Sequence, residues 1–401
     1  MLLTQNKYQE KEVRVLKKQS AFRIAFPVSA VWFGAIVGPS MISGVYESVY
    51  FAPYGAWGIL LPMIAMGIAA VVIGMGANVA RRFRVYDYNS YSKKLYGKFS
   101  KILTPVLEVY MVIAMIVGGS AVIAMSSTFL NDLLGIPQLG GALIMAVICI
   151  VLVLWGAGLV RSASSLMSVV MIAGLVILAV LIISERSKEL GTIISTWYAP
   201  EKNSFWIGLP GAVALGLSNC CNALTLSAVE QKVSRTKDCA AIGIISFVMN
   251  STAFIVTTLM LLPYCPEVLT NTIPILGIIQ QHLLTDVPWL PTVYTVVMLL
   301  ALISSGVPQL HAVASRLRAV YPARIKSPIV KNTISGIIYF TACILISFLG
   351  LSNIVSTGYS ILGYAAIPLL AIPICIVWPV IWHRRKKKGL PPDAEAGSAE
   401  S

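Results

Sequence analysis

Apolar runs long enough to cross a bilayer follow one another through almost the whole chain, and that succession restricts the fold more than any short motif. A spanning helix needs about 20 mostly apolar residues. Such runs occur near 27–53, 56–80, 102–131, 139–160, 162–184, 205–230, 239–262, 291–315, 329–350 and 357–382, ten in all. Only 11% of the residues are charged and 57% are hydrophobic, with a mean hydropathy of +0.82; a soluble globular chain carries about 25% charge. Inside lipid, each backbone N–H and C=O must find a partner within the protein, which helices provide. The expected class is an all-α membrane protein with ten transmembrane helices.

The basic residues orient these runs. Residues 1–26, 81–101, 161, 232–237, 316–331 and 384–388 together hold 27 of the 30 Lys and Arg, whereas the alternate connections hold only Arg186, Lys188 and Lys202. Positive charge collects on the cytoplasmic side, so both termini are expected there, in a multi-pass protein of the cytoplasmic (inner) membrane. The net charge of +14 is thus mainly a topology signal and does not imply a nucleic-acid partner. The run Arg384–Lys388 anchors the last helix and could also touch anionic lipid. The polar residues 1–26 contain no apolar core of a signal peptide, and 389–401 reads as disordered. Seven scattered cysteines, without a CxxC pair or a His/Cys cluster, favour neither a disulfide framework nor zinc.

Two runs carry breaks. In Val37-Gly38-Pro39-Ser40-Met41-Ile42-Ser43-Gly44, Pro39 removes a helical donor while Gly38 and Gly44 permit non-helical backbone. By itself this is either a proline kink or a site where protein, ion or solute takes up freed backbone groups. In the sixth run, Leu215-Gly216-Leu217-Ser218-Asn219-Cys220-Cys221-Asn222 places polar residues at mid-depth, 180 residues after Gly38. Later runs repeat at similar offsets. Five runs followed by five runs give two halves of opposite orientation, and matched interruptions in inverted halves point to a midplane binding site. The expected organisation is a cytoplasmic segment (1–26), a first five-helix repeat (27–184), an external loop (185–204), a second repeat (205–382) and a basic tail (383–401). Residues 81–101 suggest an interfacial amphipathic helix. Residues 263–290, with Ile275–Ile279 and Leu283-Leu284, fit either a lid over an outer vestibule or a segment lying on the surface.

With these features the chain resembles the amino acid–polyamine–organocation superfamily, whose LeuT fold is built from a five-plus-five inverted repeat with the first and sixth helices broken. Ile36–Gly58 is most similar to the YkvI-type bacterial membrane proteins. In sodium-coupled members, a G-x-x-V-G-like stretch of the first helix and an A-x-x-[ST]-[ST] stretch of the eighth hold a sodium ion. Gly34-Ala35-Ile36-Val37-Gly38 and Ala301-Leu302-Ile303-Ser304-Ser305 match both patterns. The resemblance therefore implies sodium at Gly34, Val37, Ala301, Ser304 and Ser305; alternatively, the serines bond back to their own helix or join neighbours. Proton-coupled members place a Lys in the fifth helix, and 162–184 has none.

The solute is expected at the two breaks. Backbone N–H groups from Ser40 to Ser43 suit a carboxylate, so Gly38, Pro39, Ser40, Met41 and Ser43 are candidates, with Ser218, Asn219 and Asn222 from the other half. Gly118-Gly119-Ser120 leaves room or allows close packing. Three ionisable residues within runs are gating or proton candidates. Glu47 lies about 13 Å beyond Gly38 at helical rise; Glu108 is near a helix end and able to reach the interface; His311 follows Ser305. Glu230 is read either as a latch to Arg23 or as an ordinary loop charge.

These readings converge on a secondary transporter that imports a small polar solute, an amino acid or related zwitterion, by sodium-coupled symport. A proton-coupled exchanger and a solute-sensing receptor are the alternatives. No catalytic triad, GxxxxGK[ST] loop or HExxH pair is present, so no enzyme is expected, and no cofactor beyond the coupling ion. The oligomeric state stays open.

Overall fold

The computed structural model describes residues 20–154, 157–200, 204–317, 321–322, 325 and 327–388, the side chains of 157–169 excepted. The expectations for residues 1–19 and 389–401, and for the basic residues Arg161, Lys202, Arg318, Arg324 and Lys326, lie outside the described residues or side chains. Among the described residues the chain is all helix, without a strand.

The elements are α1 (Ala21–Ile36), α2 (Pro39–Ile42), α3 (Val45–Tyr50), α4 (Leu61–Phe83), α5 (Tyr88–Tyr96), α6 (Ser100–Leu134), α7 (Gln138–Leu154), α8 (Ala157–Glu185), α9 (Ser187–Ser195), α10 (Phe205–Ser218), α11 (Thr236–Leu261), α12 (Pro274–Ile278), α13 (Leu290–Leu317), α14 (Pro328–Ser347), α15 (Tyr359–Ala366) and α16 (Trp378–Lys387). Seven helices in the described residues are long and apolar enough to cross a membrane, so this is a multi-pass membrane protein. Of the other three apolar runs, the first begins with the 16-residue α1, the described part of the next is the 17-residue α7, and the helix ending at Glu185 turns by 80° into α9.

Two packing groups form the body. In one, α11 lies along α4 and α1 while α10 lies along α4 and α15; in the other, α6, α7, α13 and α14 contact one another, and α8 packs on α13. Small residues let the first group close up. A Cβ on Gly216 would stand 2.3 Å from the Ala65 carbonyl oxygen, and one on Gly363 2.2 Å from that of Ala214.

The stretch expected to be interfacial is held against the body. Asp87 caps α5 by accepting from the Ser90 N–H at 2.9 Å. Tyr91 donates to the Gly76 carbonyl (3.0 Å), Tyr96 to that of Leu369 (2.8 Å), and Trp378 to that of Leu95 (3.0 Å). The 263–290 segment buries its apolar side, with Ile275, Leu276, Ile278, Ile279 and Leu283 all buried.

Candidate functional site

The helical ladder stops at α1. Val37 has φ −69° and ψ 66°, and the Gly38 N–H donates to the Ile36 carbonyl at 2.6 Å, which makes an inverse γ-turn. Gly38 is extended, and Pro39 opens the single turn α2, where its missing N–H is harmless. Three carbonyls lose their helical donors. That of Gly34 would accept from Gly38, whose N–H goes to Ile36; that of Ala35 would accept from Pro39, which has none; that of Val37 would accept from Met41, whose N–H makes no such bond. Within α2 the Ile42 and Ser43 N–H groups bond to Gly38 and Pro39 at 3.1 and 2.9 Å. Of the four amides expected to meet a solute, those of Ser40 and Met41 are left without helical acceptors. Gly44, at φ 80°, then swings the chain into α3.

A cavity of about 60 Å³ opens at this break, lined by Gly38, Pro39, Ser40, Tyr46, Ser305 and Gln309, among others. Ala35 and Ile36 of α1, Gly118, Ala121 and Val122 of α6, and Tyr359 of α15 complete it, so it lies between the two packing groups. At about 30 Å³ per water, it has room for an ion or a pair of waters. A groove of about 470 Å³ between α4 and α11 is larger, but it is apolar except for Asn78 and Thr236.

Ser305 faces the break, its hydroxyl 3.2 Å from where a Cβ on Gly38 would stand. Ser304 is turned away: its hydroxyl donates to the Ala301 carbonyl at 3.0 Å and lies 3.7 Å from the Met171 sulfur. Gly118 leaves room for the Gln309 amide, whose nitrogen would be 3.2 Å from an added Cβ. Gly119 instead admits the Tyr339 ring, so the two glycines divide the roles of room and packing. The Tyr339 hydroxyl lies 2.8 Å from the Met115 carbonyl and 3.0 Å from Gln309 Oε1.

Several expected site residues are not brought to this cavity. Leu215–Val229 stays helical, alternating α and tighter 3-10 turns with every junction in right-handed helical geometry. Ser218 and Asn219 donate to the Leu215 carbonyl (2.8 and 3.0 Å), and Asn222 to that of Asn219 (3.0 Å). Their donors serve their own helix. Met41 is fully buried beside the break, and Ser43 donates to the Ser40 carbonyl at 3.0 Å. Gly34, Val37, Ala301 and Ser304 are not among the residues that line it. Glu108 forms an ion pair with Arg316 at 2.7 Å, joining α6 to α13. His311, also on α13, is outside the lining. Glu230 is buried, and among the described residues neither carboxylate oxygen has a partner, Arg23 included. Glu47 is buried against α11 and does not face a vestibule.

The lining also contains residues that sequence reasoning missed. Tyr46 interacts with the Ser40 and Tyr359 side chains, and its ring meets those of Tyr359 and Phe254 edge-on at 5.6 and 6.0 Å. The only local signal was an aromatic residue just beyond a break. Tyr359 comes from the last apolar run, with nothing in its surroundings to mark it.

No family model and no curated protein matches the sequence. Solved structures do. The chain is similar to Mhp1 in an inward-facing conformation, with a TM-score of 0.66 and 18% identity over 90% of this chain and 77% of that one. It is similar to a Na+-coupled sialic acid symporter in a substrate-bound outward-open state, at 0.60 and 13% over 94% and 88%. It is also similar to MhsT in complex with L-phenylalanine, at 0.57 and 16% over 88% and 96%. Identities this low speak to architecture alone, and in architecture the chain has the LeuT-type fold.

Proposed function

We propose that the protein is a secondary active transporter of the cytoplasmic membrane that imports a small polar solute, an amino acid or related zwitterion, together with sodium. The observation that carries the reading is the cavity at the α1 break, where the Gly34 and Ala35 carbonyls lack helical donors and the Ser305 hydroxyl faces Gly38. A hard monovalent cation needs several neutral oxygens at close range. Gly34, Val37, Ala301, Ser304 and Ser305 would supply them, once Ser304 gives up its bond to the Ala301 carbonyl. The solute would meet Gly38, Pro39, Ser40 and Met41, with Tyr46, Gln309 and Tyr359 opposite; Ser43, Ser218, Asn219 and Asn222 would need rearrangement to take part.

In this reading the chain crosses the membrane ten times as two inverted five-helix halves, with both termini cytoplasmic. The α1–α4–α10–α11 group moves against the α6–α7–α13–α14 group. A cavity of about 60 Å³ is far below the roughly 300 Å³ of a small-molecule pocket, so admitting a solute requires those groups to part. The likeness to symporters of the same fold supports this mechanism, as does the placing of the cavity between the groups.

The test is a thermal-shift screen of purified protein against small metabolites in sodium and in potassium. Stabilisation by one solute class only in sodium, followed by sodium-driven uptake of that class into proteoliposomes, is expected. Stabilisation that is identical in both salts overturns the sodium assignment, and a stabilising solute that is never taken up points to a sensor.

A further inference from the structure

Glu47 follows the cavity-lining Tyr46 and points the other way, into the seam between α3 and α11. It is 0% exposed. One carboxylate oxygen is hydrogen-bonded to the Thr257 hydroxyl; the other is buried and has no hydrogen-bond partner among the described residues. No described Lys, Arg or His forms an ion pair with it. A charged carboxylate withdrawn from water with one hydroxyl as its partner is strongly disfavoured.

Among the described residues the surroundings add no compensating charge. Tyr46 and Tyr50 lie on α3 itself, but Tyr46 turns to Ser40 and Tyr359 while the Tyr50 hydroxyl donates to the Val355 carbonyl at 2.6 Å. From neighbouring elements come Tyr54, Cys265, Glu267 and Tyr359. Cys265 bonds to the Leu261 and Ala52 carbonyls, and Glu267 is exposed. Beyond Cys239, α11 has no ionisable side chain, and neither α10 nor 354–358 has any. Thr257 has a single hydroxyl proton and two main-chain acceptors within reach, Ala253 at 3.1 Å and Phe254 at 3.2 Å. If that proton goes to either carbonyl, the close contact with Glu47 needs a proton on the carboxyl.

The segment that carries Glu47 is a short helix set off by non-helical backbone at both ends. It has six residues, with Gly44 at φ 80° before it and Phe51 at φ −131°, ψ −56° after it. Tyr46 packs on Phe254, and Glu47 reaches Thr257 one turn further along α11. A displacement felt by Tyr46 in the cavity is therefore felt by Glu47 in the seam.

We propose that Glu47 carries a proton, bound while α3 is seated against α11 and exchanged with water when α3 swings away, so that cavity opening is linked to proton uptake and release. The linkage rests on the alternating-access reading, whereas the proton on Glu47 in the seated state does not.

The test is infrared spectroscopy of the purified protein in H2O and D2O, with hydrogen exchange of residues 39–50 as a function of pH at fixed sodium. A protonated-carboxyl C=O band that shifts in D2O, persists in Glu230→Gln and is lost in Glu47→Gln is expected. Exchange of 39–50 should rise with pH beyond the intrinsic rate in the wild type but not in Glu47→Gln. If Glu47→Gln fails to fold, Thr257→Val keeps the carboxyl and should move its band to higher frequency. A band unaffected by either substitution, or exchange that rises equally in wild type and Glu47→Gln, overturns the proposal. Should no solute ever be transported while the band behaves as expected, the transport reading falls and the proton assignment stands.

Discussion

The Ser305 hydroxyl and the Gly38 α-carbon face each other so closely that a methyl group on Gly38 would stand 3.2 Å from the oxygen. Gly38 has φ −112°, which alanine adopts freely, so Gly38→Ala tests the space between the two residues separately from the backbone. It should fold normally and weaken sodium-dependent thermal stabilisation about tenfold in apparent affinity, or about 1.4 kcal/mol. Gly38→Val should abolish the sodium dependence. Thermal-shift titration with sodium against a potassium background measures both.

The adjacent serines should differ. Ser305 lines the cavity, whereas the Ser304 hydroxyl is taken by the Ala301 carbonyl and lies beside Met171. Ser305→Ala should remove most of the sodium response, and Ser304→Ala should reduce it less. Equal losses would mean that Ser304 turns to the ion on binding; no loss in the double variant would end the cation assignment.

Glu108 and Arg316 pair at 2.7 Å with side chains 39% and 26% exposed. A partly solvated pair of this kind contributes about 0–1 kcal/mol. Glu108→Gln should lower the melting temperature slightly and leave sodium and pH responses intact, unlike Glu47→Gln. A large change in either response would restore Glu108 as a coupling residue.

Acid should loosen the 263–290 segment. The Arg186 guanidinium covers the Tyr264 ring at 4.5 Å, donates to the Pro263 carbonyl at 3.2 Å and lies 3.4 Å from His282 Nδ1. Only a neutral ring nitrogen accepts from it. Burial, then the Arg186 charge, hold His282 below its ordinary value, against the weaker pull of Glu267 and Glu185. With the folded value lowered, the contact contributes fully above about pH 6.5 and is lost as pH falls below it. Hydrogen exchange of 263–290 should be faster than intrinsic chemistry predicts at about pH 5 relative to about pH 7.5. His282→Gln should flatten that difference, and a wild-type segment equally protected at both values would contradict it.

Local chemistry made part of this site readable. Pro39 and Gly38 dictate the α1 break from their own backbone properties, and the Ser304-Ser305 pair announces polarity within an apolar helix. The polar stretch from Ser218 to Asn222 carries the same surface signal with a different outcome. Short polar side chains can bond to carbonyls one turn back and leave a helix wound, so composition does not separate a break from a tightened helix. The facing of Glu47 depends on a difference of one residue from Tyr46. Gln309 and Tyr359 reach the cavity only through tertiary packing.

The Ile275 N–H donates to the Ser43 carbonyl at 3.0 Å, pinning the tip of the 263–290 segment to the turn that forms one side of the cavity. The same segment runs directly into α13, which supplies Ser305 and Gln309 on the other side. It is a tether between two walls. If the walls separate as proposed, the chain from Ile279 to Leu290 must span the gap or the Ile275–Ser43 bond must break, so the length of that short stretch would limit the separation.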